Sequence, residues 1–281
     1  MNQDDKPFLK PVKENSNIRS RNWQPTANRF IGFFDIMGFK DRVYRQKHED
    51  VYNDLSALHE WKRLSIDGIL PEEFKIGDQT YTNVYIDTKV RTALFSDTVL
   101  LISESDDADS AFSLMFHSNA LLRYCIKNKI PIKGAIAFGN FSANLEQSVF
   151  FGQPLIDAYE LHNELEMYSA ILHSSAEKKL SQMNVPDINR QFINYKTPTK
   201  SGRINYDCLS WPLISVTEMP LSGKGKTKFS DLHLSAVKEF YQTTSGKARI
   251  YIDNTVEFIK WLMEQEKIRR PEIFSKQEIP E

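Results

Sequence analysis

Cysteine is nearly absent from this chain: only Cys125 and Cys208 occur in 281 residues, far apart and outside any CxxC or Cys/His ligand spacing. That argues against a zinc site and a thiol redox motif, and predicts two buried thiols in a reducing cytoplasm. Excess charge is missing as well. Lys and Arg number 36 against 37 Asp and Glu, a formal net charge of -1. No global field exists to gather nucleic acid or an anionic membrane, so neither is expected as a partner, and a charged ligand must be caught locally. No apolar run approaches the roughly 18 residues of a membrane span. Residues 1–21 are polar with charges of both signs, unlike a secretory signal, and the reading is cytoplasmic. No repeat or low-complexity tract occurs. The six histidines share no ligand spacing, and His117 and His162 fall in expected helices, where packing or surface roles suffice.

What is present is an ordinary globular composition, 41% hydrophobic and 26% charged, enough for one substantial core. Residues 1–27 read as a flexible N-terminal arm, 28–175 as a catalytic domain and 176–281 as a C-terminal extension packed on it. A short apolar run at 29–35 predicts a buried strand, and 50–66 shows helical spacing through Val51, Leu55, Leu58 and Trp61. The Val, Leu, Ile and Thr of 90–103, with Ser96-Asp97 in the middle, predict two strands joined by a tight turn. A long helix follows, ended by Pro131. Strands at 132–141 and 149–152, a helix at 154–167 and a strand at 168–173 come next. Beyond 174 the expected elements are a short helix to about 183, a polar stretch, a strand at 206–216, a Gly/Lys segment at 222–228 and helices from about 232 and 254. The order strand, helix, strand, strand, helix, strand predicts an α+β fold of ferredoxin-like type, a mainly antiparallel central sheet with helices on one face.

In that topology the first strand neighbours the hairpin, so Asp35 at the strand end and Asp97 at the hairpin turn can face each other. Paired carboxylate oxygens suit hard cations such as magnesium or manganese, which neutralise a triphosphate and lower the pKa of an attacking hydroxyl. Taken singly, Asp35 reads equally well as a helix N-cap and Asp97 as a turn residue. The backbone amides of Ile36-Met37-Gly38-Phe39, which open the next helix after Asp35, can point at phosphate oxygens.

Three segments resemble the class III nucleotide cyclases: Phe34-Asp35-Ile36-Met37-Gly38-Phe39, Phe95-Ser96-Asp97-Thr98-Val99, and 133–139 beginning Lys133-Gly134. The resemblance covers about 29–173. More narrowly, FFDIMGFKDRV, FSDTVLLIS and CLSWPL are similar to the bacterial pyrimidine cyclases of the Pycsar antiphage system. It implies a homodimer with composite active sites, conversion of UTP or CTP to a 3′,5′-cyclic monophosphate, and a separate effector protein activated by the product. It further implies two divalent ions, Mn2+ or Mg2+, bound by Asp35, Asp97 and the Ile36 carbonyl, with Phe34, Gly38 and Phe39 around the substrate and Lys133 on its phosphates.

The departures matter. Ala93 stands where purine cyclases place a base-reading Lys or Glu, which disfavours an adenylate or guanylate cyclase. Strand alternation puts Arg91, Ala93, Phe95 and Asp97 on one face, so Arg91 is the candidate reader of a pyrimidine carbonyl, though a solvated strand-start arginine explains it equally well. Ile156 and Glu160 occupy the positions of the family's Asn and its charge-stabilising Arg, which motivates a rival: an inactive cyclase-like nucleotide sensor or interaction domain. A nucleotide-polymerising palm would share the two aspartates but needs a nucleic-acid groove that this composition does not support. Lys224, Lys226 and Lys228 read first as a solvated loop.

Overall fold

The computed structural model describes residues 9–11, 23–65, 73–76, 79–82, 84–86, 89–213 and 229–269. Its strands are β1 (Leu9–Pro11), β2 (Thr26–Ile36), β3 (Glu73–Ile76), β4 (Gln79–Thr82), β5 (Val84–Ile86), β6 (Val90–Phe95), β7 (Thr98–Ser103), β8 (Ile132–Asn144), β9 (Val149–Phe151), β10 (Ala170–Leu172), β11 (Phe192–Thr199) and β12 (Gly202–Leu209). The helices are α1 (Phe39–Arg45), α2 (His48–Ser65), α3 (Ala108–Lys127), α4 (Gln153–Glu164), α5 (Ser174–Ser181), α6 (Phe229–Glu239) and α7 (Arg249–Arg269). The Gly/Lys segment expected at 222–228, with Lys224, Lys226 and Lys228, lies outside the described residues.

β2 is central because its sequence suits burial on both faces: Phe30, Ile31, Phe33, Phe34 and Ile36 are all buried, a near-continuous apolar run of the kind central strands carry. It pairs antiparallel with β7 on one side and β8 on the other. The eight-stranded sheet runs β11-β12-β10-β8-β2-β7-β6, with β9 added to β8. Every pairing in it is antiparallel except β10 with β8. The expected α+β architecture with a mainly antiparallel sheet is therefore present, and its central strands have the order β8-β2-β7-β6.

The helices occupy both faces, where a single helical face was expected. A Cβ at Gly32 would lie 3.6 Å from Ser118 Oγ of α3, whereas the Phe33 ring meets Tyr159 and His162 of α4 at 5.5 and 4.6 Å. Adjacent strand residues point to opposite faces, so α3 and α4 sandwich β2. Close approach inside the sheet needs Gly134: a Cβ there would stand 2.5 Å from the Phe33 carbonyl oxygen.

Boundaries shift in the C-terminal part. The polar stretch contains β11, which pairs with β12 from Phe192↔Leu209 to Thr199↔Gly202. β12 starts and ends earlier than the strand expected at 206–216, and 214–216 fall outside the described residues. α7 begins at Arg249 and packs Phe258 and Trp261 on Tyr195 of β11, with centroids 4.9 and 4.8 Å apart. At the other end of the chain, β1 pairs with β5, and the Trp23 indole donates to the Ala143 carbonyl at 3.0 Å. Cys125 and Cys208 are free and fully buried. No helix among the described residues is long and apolar enough to cross a membrane.

Candidate active site

Asp35 is the penultimate residue of β2 and stands across from Thr98 of β7 and Lys133 of β8. Asp97 occupies the two-residue turn between β6 and β7, where Ser96 takes a positive φ of 52°; such left-handed geometry is what a tight hairpin demands. The Ile36 N–H donates to the Asp97 carbonyl at 2.9 Å and the Met37 N–H to the Pro131 carbonyl at 2.7 Å. The strand end is thereby tied to both neighbours, and the two acidic residues are brought to one place. Burial, then the nearby Asp97 charge, push the Asp35 carboxyl up to about 6, opposed by Lys133. A half-buried carboxyl beside a second one favours either a proton or a cation.

Among the described residues, no group of three or more His, Cys, Asp and Glu side chains forms a metal cage. Two carboxylates and a backbone carbonyl nevertheless fit a magnesium-type ion, which ordinarily keeps waters and completes its shell with substrate phosphates.

Lys133 is 4% exposed. Its ammonium donates to the Leu165 carbonyl at 3.0 Å and lies 5.5 Å from the Tyr251 ring centroid. Burial, then Lys200, lower its pKa to about 8, while Asp35, Glu166 and Glu164 act the other way. The structure thus places this lysine beside Asp35 but engages its head group with protein atoms. Phe34 is fully buried, so its ring offers a substrate nothing; only its backbone reaches the strand end. Gly38 precedes α1 with φ 69°, and no described atom lies within 4 Å of where a Cβ would sit. Phe39 begins α1 and is half-buried.

Arg91 and Ala93 stand on the Asp35 face, in the rungs Ile31↔Ile102↔Arg91 and Phe33↔Leu100↔Ala93. Arg91 is therefore remote from the turn along β6, with its guanidinium 5.8 Å from the Trp23 ring centroid. Ala93 lines a cavity of about 790 Å³ with Phe33, Phe95, Leu100, Phe150 and Tyr159. Phe95, Phe151, Ile156 and Tyr159 are each more than half exposed, and Glu160 is exposed beside them on α4. Sequence reasoning missed Tyr251, because nothing in the order of residues ties the last helix to Lys133 of β8.

No protein-family model matches this chain, and no curated protein does. Among solved structures it is similar to the monomeric guanylyl cyclase domain of the RhoGC fusion protein from the aquatic fungus Blastocladiella emersonii, at 12% identity and a TM-score of 0.41 over 66% of this chain and 95% of that one. A bacterial light-regulated adenylyl cyclase is 12% identical, with a TM-score of 0.38 over 77% of this chain and 99% of that one. The guanylyl cyclase Cya2 is 11% identical, with a TM-score of 0.38 over 66% of this chain and 91% of that one. Each is a similarity at low identity, and the functional reading rests on this chain's own residues.

Proposed function

We propose that this chain is a nucleotide cyclase that converts UTP or CTP to the 3′,5′-cyclic monophosphate and pyrophosphate. The observation that carries the reading is the meeting of Asp35 and Asp97 at one sheet end, where the mutual charge is unfavourable without a cation. Asp35, Asp97 and the Ile36 carbonyl would hold two divalent cations, Mn2+ or Mg2+, which supply positive charge that acidifies a ribose hydroxyl and neutralises triphosphate oxygens. In the reaction O3′ bonds to the α-phosphorus, the bond from that phosphorus to the pyrophosphate oxygen breaks, and the O3′ proton leaves to solvent. By the resemblance the Gly38 and Phe39 amides would cradle the phosphates, and the Lys133 ammonium would add positive charge near the Asp35 end of the sheet.

The pyrimidine preference rests on the resemblance and on Ala93, which has no polar group to read a purine. Arg91 is the proposed base reader. The exposed side chains of Phe95, Ile156 and Tyr159, which share one cavity rim, support a homodimer that buries this face and completes each site with partner residues. A cytoplasmic role in antiphage signalling, with a separate effector, follows from the same resemblance. The division into an arm at 1–27, a catalytic domain at 28–175 and an extension at 176–281 rests on composition and on the span of about 29–173 that the resemblance covers.

Glu160 favours a second reading, a nucleotide-binding sensor without turnover, since a carboxylate at that position would repel developing phosphoryl charge. Incubating the protein with Mn2+ and each of the four nucleoside triphosphates, beside Asp97→Ala, separates the two. A cyclic pyrimidine monophosphate, lost in the variant, is the expected product; metal binding with no product from any triphosphate favours the sensor.

A further inference from the structure

The Lys133 head group is enclosed by elements far apart in sequence. Its Nζ donates to the Leu165 carbonyl at 3.0 Å, in the connection between α4 and β10. The Tyr251 ring, from the first turn of α7, lies 5.5 Å away, within the range over which an ammonium is attracted to an aromatic face. Tyr251 also stacks on Tyr168, with centroids 6.1 Å apart and planes inclined by 19°. α7 grips the same connection through two further bonds: the Asn254 amide donates to the Glu166 carbonyl at 2.8 Å, and the Tyr168 N–H donates to Thr255 Oγ1 at 2.8 Å. Thr255 in turn donates to the Tyr251 carbonyl at 2.6 Å. α7 therefore carries one of the groups that touch the ammonium and, together with the Leu165↔Thr199 bridge to β11, braces the other, and the lysine stands directly across from Asp35.

We propose that Tyr251 is a positioning residue: with the Leu165 carbonyl it holds the ammonium of Lys133, the residue across the ladder from Asp35, so that the C-terminal helix forms part of the site. The ring, rather than the hydroxyl, does the holding, because the contact is with the aromatic face. This packing role is independent of the cyclase reading; its consequence for cation binding rests on that reading. A positive charge held one rung across from Asp35 opposes an arriving cation, and a loosened one opposes it less.

Two measurements test this on the full chain. The first is amine labelling with acetic anhydride, followed residue by residue by mass spectrometry. Lys133 should be protected in the wild type and in Tyr251→Phe, and labelled severalfold faster in Tyr251→Leu, with the exposed Lys178 as internal standard. Equal protection in all three overturns the proposal, as does loss of protection in Tyr251→Phe. The second is Mn2+ titration followed by the resonance of free ion, without nucleotide. Lys133→Met should bind Mn2+ severalfold more tightly, with Tyr251→Leu shifted the same way and Tyr251→Phe unchanged. If the wild type binds no Mn2+, the metal reading fails while the labelling result still decides the role of Tyr251.

Discussion

Gly134 shows how little room one residue has at the centre of the sheet. A Cβ there would meet the Phe33 carbonyl oxygen and the Phe34 ring, both at 2.5 Å, and neither can retreat, since Phe34 is fully buried. Gly134→Ala is expected to lower stability by about 1–3 kcal/mol, the usual cost of overpacking, read as a fall in the denaturant midpoint. Phe34→Ala would leave a cavity instead and cost about 3–5 kcal/mol. The sequence marks Phe34 as part of a site segment, but its burial makes it a core residue. Segment spacing alone does not distinguish a side chain facing the substrate from one facing α3.

Among the elements, α3 was the most legible because its signals are local. Asp107 accepts from the Ser110 N–H at 2.7 Å, Asp109 lies in the first turn, and Pro131 follows the end. Asp107→Ala is expected to cost about 1 kcal/mol through loss of this cap, measurable by chemical denaturation. β11 was hidden for the opposite reason. It is an edge strand with alternating exposure over its first residues and a proline at 198; Pro is tolerated there because its outward side only accepts, the Pro198 carbonyl taking the Glu166 N–H at 3.0 Å. Its neighbour β12 and, at its end, the 164–166 connection hold it in the sheet, not its own composition.

Across the whole molecule, two buried histidines link stability to pH. Burial is the largest cause lowering both His233 and His162 to about 4, with Arg123 and Lys133 respectively the next. An unfolded histidine titrates near 6.5, so between about 6.5 and 4 the unfolded chain binds more protons. Their contribution is complete above about 6.5 and is lost as pH falls toward 4, by at most about 3 kcal/mol each. Asp35, whose folded pKa is raised, acts in the opposite sense over about 4 to 6. Comparing wild type with His233→Gln cancels the Asp35 contribution, and the wild-type midpoint should fall relative to the variant as pH drops through this window. For the proposed dimer, Ile156→Arg on the exposed face should yield a folded monomer by sedimentation, with cyclase activity lost. The sequence by itself determined the order of the central strands β2, β6, β7 and β8 and of helices α2, α3 and α4, the tight turn at Ser96-Asp97 and the two acidic positions, because periodicity and turn chemistry are local. Only the tertiary structure decided which faces the helices cover, that β11 closes the sheet edge, and that α7 reaches Lys133, because those contacts join residues whose local sequences carry no record of one another.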